Sequence, residues 1–119
     1  MVDHPIFTES IRRIRTLLGE TGLDPLQQQV LERLVHSSGD PGMLELLRFN
    51  EGACEQGLAA LQGGASILTD TAMAAAAVTP MAARTLGTSV RCLLDWAPEV
   101  SAQDTTRSAA AMKRAWPEL

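Results

Sequence analysis

Apolar residues recur along the chain at helical steps. From Thr8, Ile11, Ile14, Leu17 and Leu18 fall three and four apart, with Arg12, Arg13 and Arg15 between them, which predicts an amphipathic helix ended by Gly19. Asp24-Pro25-Leu26-Gln27 is a strong helix start. Asp24 supplies a cap, Pro25 suits the first turn, and Gln27 reaches back as in a capping box. This second helix should present Leu26, Val30 and Leu34 inward and run to about His36, where Ser37-Ser38-Gly39 stops it.

Leu44 to Phe49 is a short apolar run that periodicity leaves open between helix and strand. Asn50 is a candidate cap for a helix over 51–62, which Gly63-Gly64 ends. Ser66 to Thr69 reads as a buried strand with Asp70 at its carboxyl end, followed by an Ala-rich helix to about Ala77 and a turn at Val78-Thr79-Pro80. Ser89 to Leu94 reads as a second strand. Thr105 or Thr106 can cap a last helix through Ala115, which Pro117 stops. Strands and helices alternating at this spacing predict parallel strands with crossover helices, hence an α/β fold. Ligands of open parallel sheets bind at the carboxyl ends of the strands, which directs attention to Asp70, Thr79 and the 104–107 region.

Composition narrows the function. The 119 residues suit one small domain. With 45% apolar and 20% charged residues, a packed core is feasible, but at 3% aromatic content aliphatic side chains must fill it. The same shortage argues against base stacking, and a net charge of −4 without a basic block argues against nucleic acid and anionic membranes as partners. The start of the chain has no signal pattern, and the Ala-rich stretch from Thr71 to Ala83 is too short to span a bilayer, so a cytoplasmic location is expected. Cys54 and Cys92 fit no metal-ligand spacing and read as small hydrophobes in a reducing compartment.

Few residues carry chemistry. His36 ends a well-formed helix, where the partial negative charge favours imidazolium and suits a proton donor near neutral pH; a plain cap is the alternative. Arg107, beside Thr105, Thr106 and Ser108 at a helix start, would hold a carboxylate with the free backbone N–H groups there, or stand solvated. Asp70 serves equally as a site residue or a helix cap. His4 reads as a terminal residue without a role. No phosphate loop, nucleophile elbow or zinc-protease motif is present.

Several segments in order resemble the precorrin-8X methylmutase family. His4-Pro5-Ile6 with Ser10-Ile11 resembles the family's first helix, and Arg33-Leu34-Val35-His36-Ser37 its R-[LMV]-[IV]-H-[AS] segment. Leu47-Arg48-Phe49-Asn50 resembles an L-x-F-S step with Asn50 in place of serine. Gly64-Ala65, Ile67-Leu68-Thr69-Asp70 and Met73 resemble the family's G-x-x-I-x-x-D-x-x-M stretch, Val78-Thr79 follows, and Thr106-Arg107-Ser108 resembles its T-R-[ST] motif. The resemblance implies a flavodoxin-like three-layer α/β fold with a parallel sheet, a homodimer, and a sigmatropic methyl shift on precorrin-8X or its cobalt form giving hydrogenobyrinate or cobyrinate. It makes His36 the catalytic residue, places Ser10 and Thr79 along the corrinoid ring and pairs Arg107 with a ring carboxylate. It calls for no cofactor and no metal from the protein. Family members continue into a further strand and a G-N-A-P-T-A-L loop, whereas this sequence reads only to Leu119. Residues 1–119 are therefore expected to form a single methylmutase-like domain that is incomplete at its C-terminal end. That expectation leaves a corrinoid-binding module or an inactive fragment as the alternatives to a working isomerase.

Overall fold

The computed structural model describes residues 2–119. The chain separates into two compact units, one through Gly57 and one over Leu58–Leu119.

The first unit is helical. Helix α1 spans Pro5–Leu18 and α2 spans Pro25–Ser38. They run antiparallel, because Ser10 meets His36 while Arg15 meets Glu32 further back along α2. The ends of both follow local chemistry. The Asp24 carboxylate accepts from the N–H groups of Leu26 and Gln27, the Gln27 side chain accepts from the Asp24 N–H, and Gly39 closes α2 in the left-handed conformation. Helix α1 ends at Gly19, also at positive φ, as the sequence predicts. It begins earlier than predicted, at Pro5, because the His4 ring nitrogen Nδ1 accepts from the Ile6 N–H and caps it.

Ile11, Ile14, Leu31 and Val35 form the buried core of this unit, with Phe7, Leu18, Leu23, Met43, Leu44 and Leu47 packed around it. The inward face of α2 therefore differs from the predicted one. Val30 is exposed, and Leu31, Glu32 and Val35 are buried. A shift of one residue turns a helix face by about 100°. The polar Gln28 and Glu32 lie toward the packed side, which hides that side from a reading based on hydrophobicity.

The open Leu44–Phe49 run resolves into the end of a one-turn helix, α3, over Met43–Leu46, followed by extended chain. Helix α4 covers Ala53–Gln62 and starts two residues later than predicted. Asn50 contributes its backbone carbonyl to the Ala53 N–H, and the chain turns through Gly52 at positive φ.

The second unit contains two parallel strands. Strand β1 over Ile67–Thr69 pairs with β2 over Val90–Cys92, with Ile67 opposite Val90 and Thr69 opposite Cys92. Parallel pairing joined by the crossover helix α5 is the predicted arrangement and places the chain in the α/β class. Two details differ. The second strand stops at Cys92, and Leu93–Trp96 forms a 3₁₀ turn that buries Leu93 against Ala111 and Ala115 of helix α6 (Arg107–Ala115). And α5 spans Ala72–Thr85, so the predicted turn at Val78-Thr79-Pro80 is helix interior. An interior proline removes one i→i−4 bond, here to the exposed Ala76, whose carbonyl water can satisfy. The run of alanines before it, the best helix formers, carries the helix through. The cap of α5 is Thr71, whose hydroxyl accepts from the Ala74 N–H, and Asp70 is an exposed residue outside the helix. Among the described residues no helix is long and apolar enough to cross a membrane.

Candidate functional site

Chemistry concentrates where α1 crosses the end of α2. His36 is in the last turn of α2, exposed, and its Nδ1 lies 2.7 Å from the Ser10 hydroxyl oxygen on α1. That distance is a hydrogen bond whose direction follows the ring's proton. When Nδ1 carries a proton it donates to Ser10 Oγ, and when Nδ1 is bare the hydroxyl donates to it. In either state the second ring nitrogen, Nε2, is left for other partners. The imidazole also meets Phe7 edge to face, with ring centroids 5.0 Å apart and planes at 81°. Arg33, one turn before His36, lays its guanidinium 3.9 Å from the centre of the Phe7 ring. Two i,i+3 pairs on facing helices, Phe7 with Ser10 and Arg33 with His36, therefore interlock.

Beside this cluster, a groove of about 910 Å³ runs between the helices, lined among others by Phe7, Arg12, Arg15, Gln29, Glu32 and Arg33. Its cations are already matched. Arg12 holds Glu9 at 2.8 Å, a carboxylate it shares with Arg13 outside the groove, Arg15 holds Glu32 at 2.7 Å, and Arg33 lies 3.8 Å from Asp3. The two guanidiniums pull the Glu9 carboxyl down to about 2. Hydrogen bonds from Arg15, with a smaller contribution from Gln28, lower that of Glu32 against the desolvation that raises it.

The other two residues singled out from the sequence belong to the second unit. Thr79 lies inside α5, and its hydroxyl donates to the Ala75 carbonyl at 2.7 Å, so at present it is bonded to its own helix. Arg107 is the first residue of α6, whose cap is the Thr106 hydroxyl accepting from the Ala109 N–H. Arg107 Nε donates to the Pro98 carbonyl at 2.8 Å. That bond fixes the stem of the guanidinium at a helix N-terminus, the end at which anions are favoured. Nearby in sequence, Trp96 stacks under Arg91 at 4.2 Å and donates from its indole to Glu118.

The cysteines are free and partly buried, and desolvation, with Asp24 and Glu55 close by, pushes the Cys54 thiol up, away from a reactive thiolate. Among the described residues no group of three or more His, Cys, Asp or Glu side chains gathers as metal ligands would. Nothing in the residue pattern singles out Phe7, and Arg33 enters only as part of a motif. Their spacing of three from Ser10 and His36 was the available signal.

Comparison with known proteins agrees with the motifs. The sequence profile of the precorrin-8X methylmutase family matches residues 5–119. The cobalt-precorrin-8 methylmutase of Methanothermobacter thermautotrophicus is 30% identical over 115 residues, which are 94% of this chain and 53% of that protein. The precorrin-8X methylmutase of Pseudomonas aeruginosa is 33% identical over 120 residues, covering 95% of this chain and 55% of that protein. The crystal structure of precorrin-8x methyl mutase from Thermus thermophilus superposes with a TM-score of 0.80 at 40% identity, over 95% of this chain and 55% of that one. The chain thus spans about half the length of the curated relatives it matches. A profile match across residues 5–119, a shared fold and the ordered motifs together settle the family: this chain belongs to the precorrin-8X methylmutases.

Proposed function

We propose that residues 1–119 are the front part of one methylmutase domain, and that the protein isomerises precorrin-8X or cobalt-precorrin-8 by intramolecular methyl transfer, giving hydrogenobyrinate or cobyrinate. The observation that carries the reading is the Ser10–His36 hydrogen bond at the end of α2, in a chain of this family. A methyl shift between neighbouring ring carbons needs no nucleophile from the protein. It needs the macrocycle held and a proton lent to it while the methyl group moves, then returned, because substrate and product are isomers. With Nδ1–H tied to Ser10 Oγ, the proton on Nε2 of a charged His36 is the one free to move to the ring; the neutral imidazole left behind keeps its bond to Ser10 and takes a proton back from the ring as the product forms. A positioned acid of this kind contributes about 10²–10⁴-fold.

Thr79 is proposed as a hydroxyl along the ring and Arg107 as the partner of a peripheral carboxylate; the family motifs support both. A homodimer in the cytoplasm completes the reading. The test is conversion of precorrin-8X by the 119-residue protein and by His36→Asn, which keeps a hydrogen-bond donor without an acid function near neutral pH. Loss of turnover with product binding retained is expected. A His36→Asn protein as fast as its parent would end the acid role. Tight product binding without turnover in the parent itself would favour a corrinoid-binding module, and absence of both would favour an inactive fragment.

A further inference from the structure

We infer that Phe7 is a positioning residue for His36, fixing the plane of the imidazole so that Nε2 alone faces outward. The inference rests on the proposed role of His36 and adds a residue to it. The imidazole turns about its Cα–Cβ and Cβ–Cγ bonds, and the one hydrogen bond with Ser10 restrains that motion at Nδ1 alone; whenever it breaks, a half-turn exchanges the places of Nε2 and Cε1. His36 is exposed, so solvent offers no restraint. The Phe7 ring supplies the missing one. It meets the imidazole edge to face at 5.0 Å and 81°, a geometry aromatic pairs prefer.

Phe7 is itself held from another side. It is half-buried and packed against the Ile11–Ile14–Leu31–Val35 core, and Arg33 covers its face at 3.9 Å. Asp3, 3.8 Å from the Arg33 guanidinium, forms an exposed pair that adds little. The order of support runs from the core and Arg33 through Phe7 to His36. These side chains come from α1 and α2, so the clamp is complete within the first unit. Two restraints on different parts of a ring define its orientation, where either alone leaves a hinge. A proton donor needs that definition, since small misplacements of a reacting group cost large factors in rate.

The test uses the ¹⁵N-labelled 119-residue protein and long-range ¹H–¹⁵N correlations of the His36 ring at alkaline pH, where neutral tautomers are read directly. The parent should show one dominant tautomer. Phe7→Leu should move the ring nitrogens toward the values of a free histidine peptide, and lower kcat for precorrin-8X about tenfold at unchanged KM. Phe7→Tyr, which keeps the ring, should restore both. Leu18→Ala, at the opposite end of α1 on the same core, should lower thermal stability and leave the tautomer alone, which separates positioning from packing. Phe7→Met replaces Phe7→Leu if the latter does not fold. An unchanged tautomer ratio in a folded Phe7 variant would overturn the inference, whatever the rates. The two readings fail separately. Full activity in His36→Asn defeats the acid role, whereas the tautomer measurement needs no turnover and judges Phe7 on its own.

Discussion

Arg15 and Glu32 meet fork to fork across the α1–α2 pair, with Nε 2.7 Å from Oε1 and Nη2 3.1 Å from Oε2. Glu32 is 2% exposed, while the Arg15 side chain remains 63% exposed. The carboxylate is thus drawn into the core by a guanidinium that stays largely in water, with Gln28 as its second donor at 3.0 Å. Removing the cation would leave a buried charge with one neutral donor. Arg15→Met should destabilise the protein by about 1–3 kcal/mol, the range for an unsatisfied buried partner. The figure falls below the 3–5 kcal/mol or so for breaking a fully buried pair, because water reaches Arg15. Urea unfolding checks this, and a loss under about 0.5 kcal/mol would show the pair to be no more than a surface contact.

The same pair sets an acid limit on stability. The folded Glu32 carboxyl titrates below its ordinary value, chiefly because of its hydrogen bonds from Arg15. A depressed carboxyl contributes its full stability above the unfolded value of about 4.3, and that contribution is lost as pH falls through the folded one. Unfolding free energy should therefore drop as pH is lowered from about 5, and the drop should be shallower in Arg15→Met. Glu9 is also depressed, to about 2, but it is exposed and its pairing with Arg12 and Arg13 should fade in high salt. An acid slope that survives added salt in the parent, and not in Arg15→Met, identifies Glu32 as its source.

At the start of α2, the Asp24 carboxylate satisfies two backbone N–H groups that would otherwise lack partners. Asp24→Ala should cost about 1 kcal/mol, and Asp24→Ser should recover most of it. Equal stability of Asp24→Ala and the parent would mean that packing alone holds the helix end.

These helix ends were readable in the sequence because caps are local. Asp24, Pro25, Gln27, Gly19 and Gly39 act within four residues of themselves. The buried face of α2 was not readable, since Glu32 faces inward only because Arg15, 17 positions earlier, arrives from another helix. The local preference of Pro80 predicts a turn, but the cumulative propensity of the alanines before it prevails. The end of β2 depends on a distant helix. Leu93 leaves the strand to pack on Ala111 and Ala115, and nothing near Leu93 announces that. At the site, family motifs pointed to His36 and Ser10 separately. Their hydrogen bond depends on antiparallel pairing of α1 with α2, a non-local fact, and nothing in the sequence marks Phe7.

For residues 1–119 by themselves, the proposed homodimer has a physical motive in uncovered surface. A two-stranded sheet is marginal alone, and among the described residues the outer edges of β1 and β2 have no strand beside them. Ile6 and Leu17 on α1 are 73% and 67% exposed. Sedimentation at micromolar concentrations should show a dimer or larger species, and a clean monomer throughout that range would count against it.

Arg107 offers a choice between two roles that a single pair of variants separates. Its Nε donates to the Pro98 carbonyl, nine residues back, so it ties the loop before α6 to the helix start. Its remaining N–H groups make no protein hydrogen bond among the described residues, and they stand at a helix N-terminus whose field favours an anion. If the loop tie were its whole purpose, Arg107→Ala would lower stability and leave ligand affinity alone. If it pairs with a carboxylate of the corrinoid, Arg107→Ala should weaken product binding by about 1.5–3 kcal/mol, the range for a hydrogen bond to a charged group. Arg107→Lys is the discriminating variant. It keeps the charge but loses the planar fork, so it should recover only part of the affinity. Calorimetry with hydrogenobyrinate, run beside thermal unfolding of each variant, measures both quantities. Unchanged affinity in both variants, together with a lower melting temperature, would assign Arg107 to the loop and remove it from the corrinoid site.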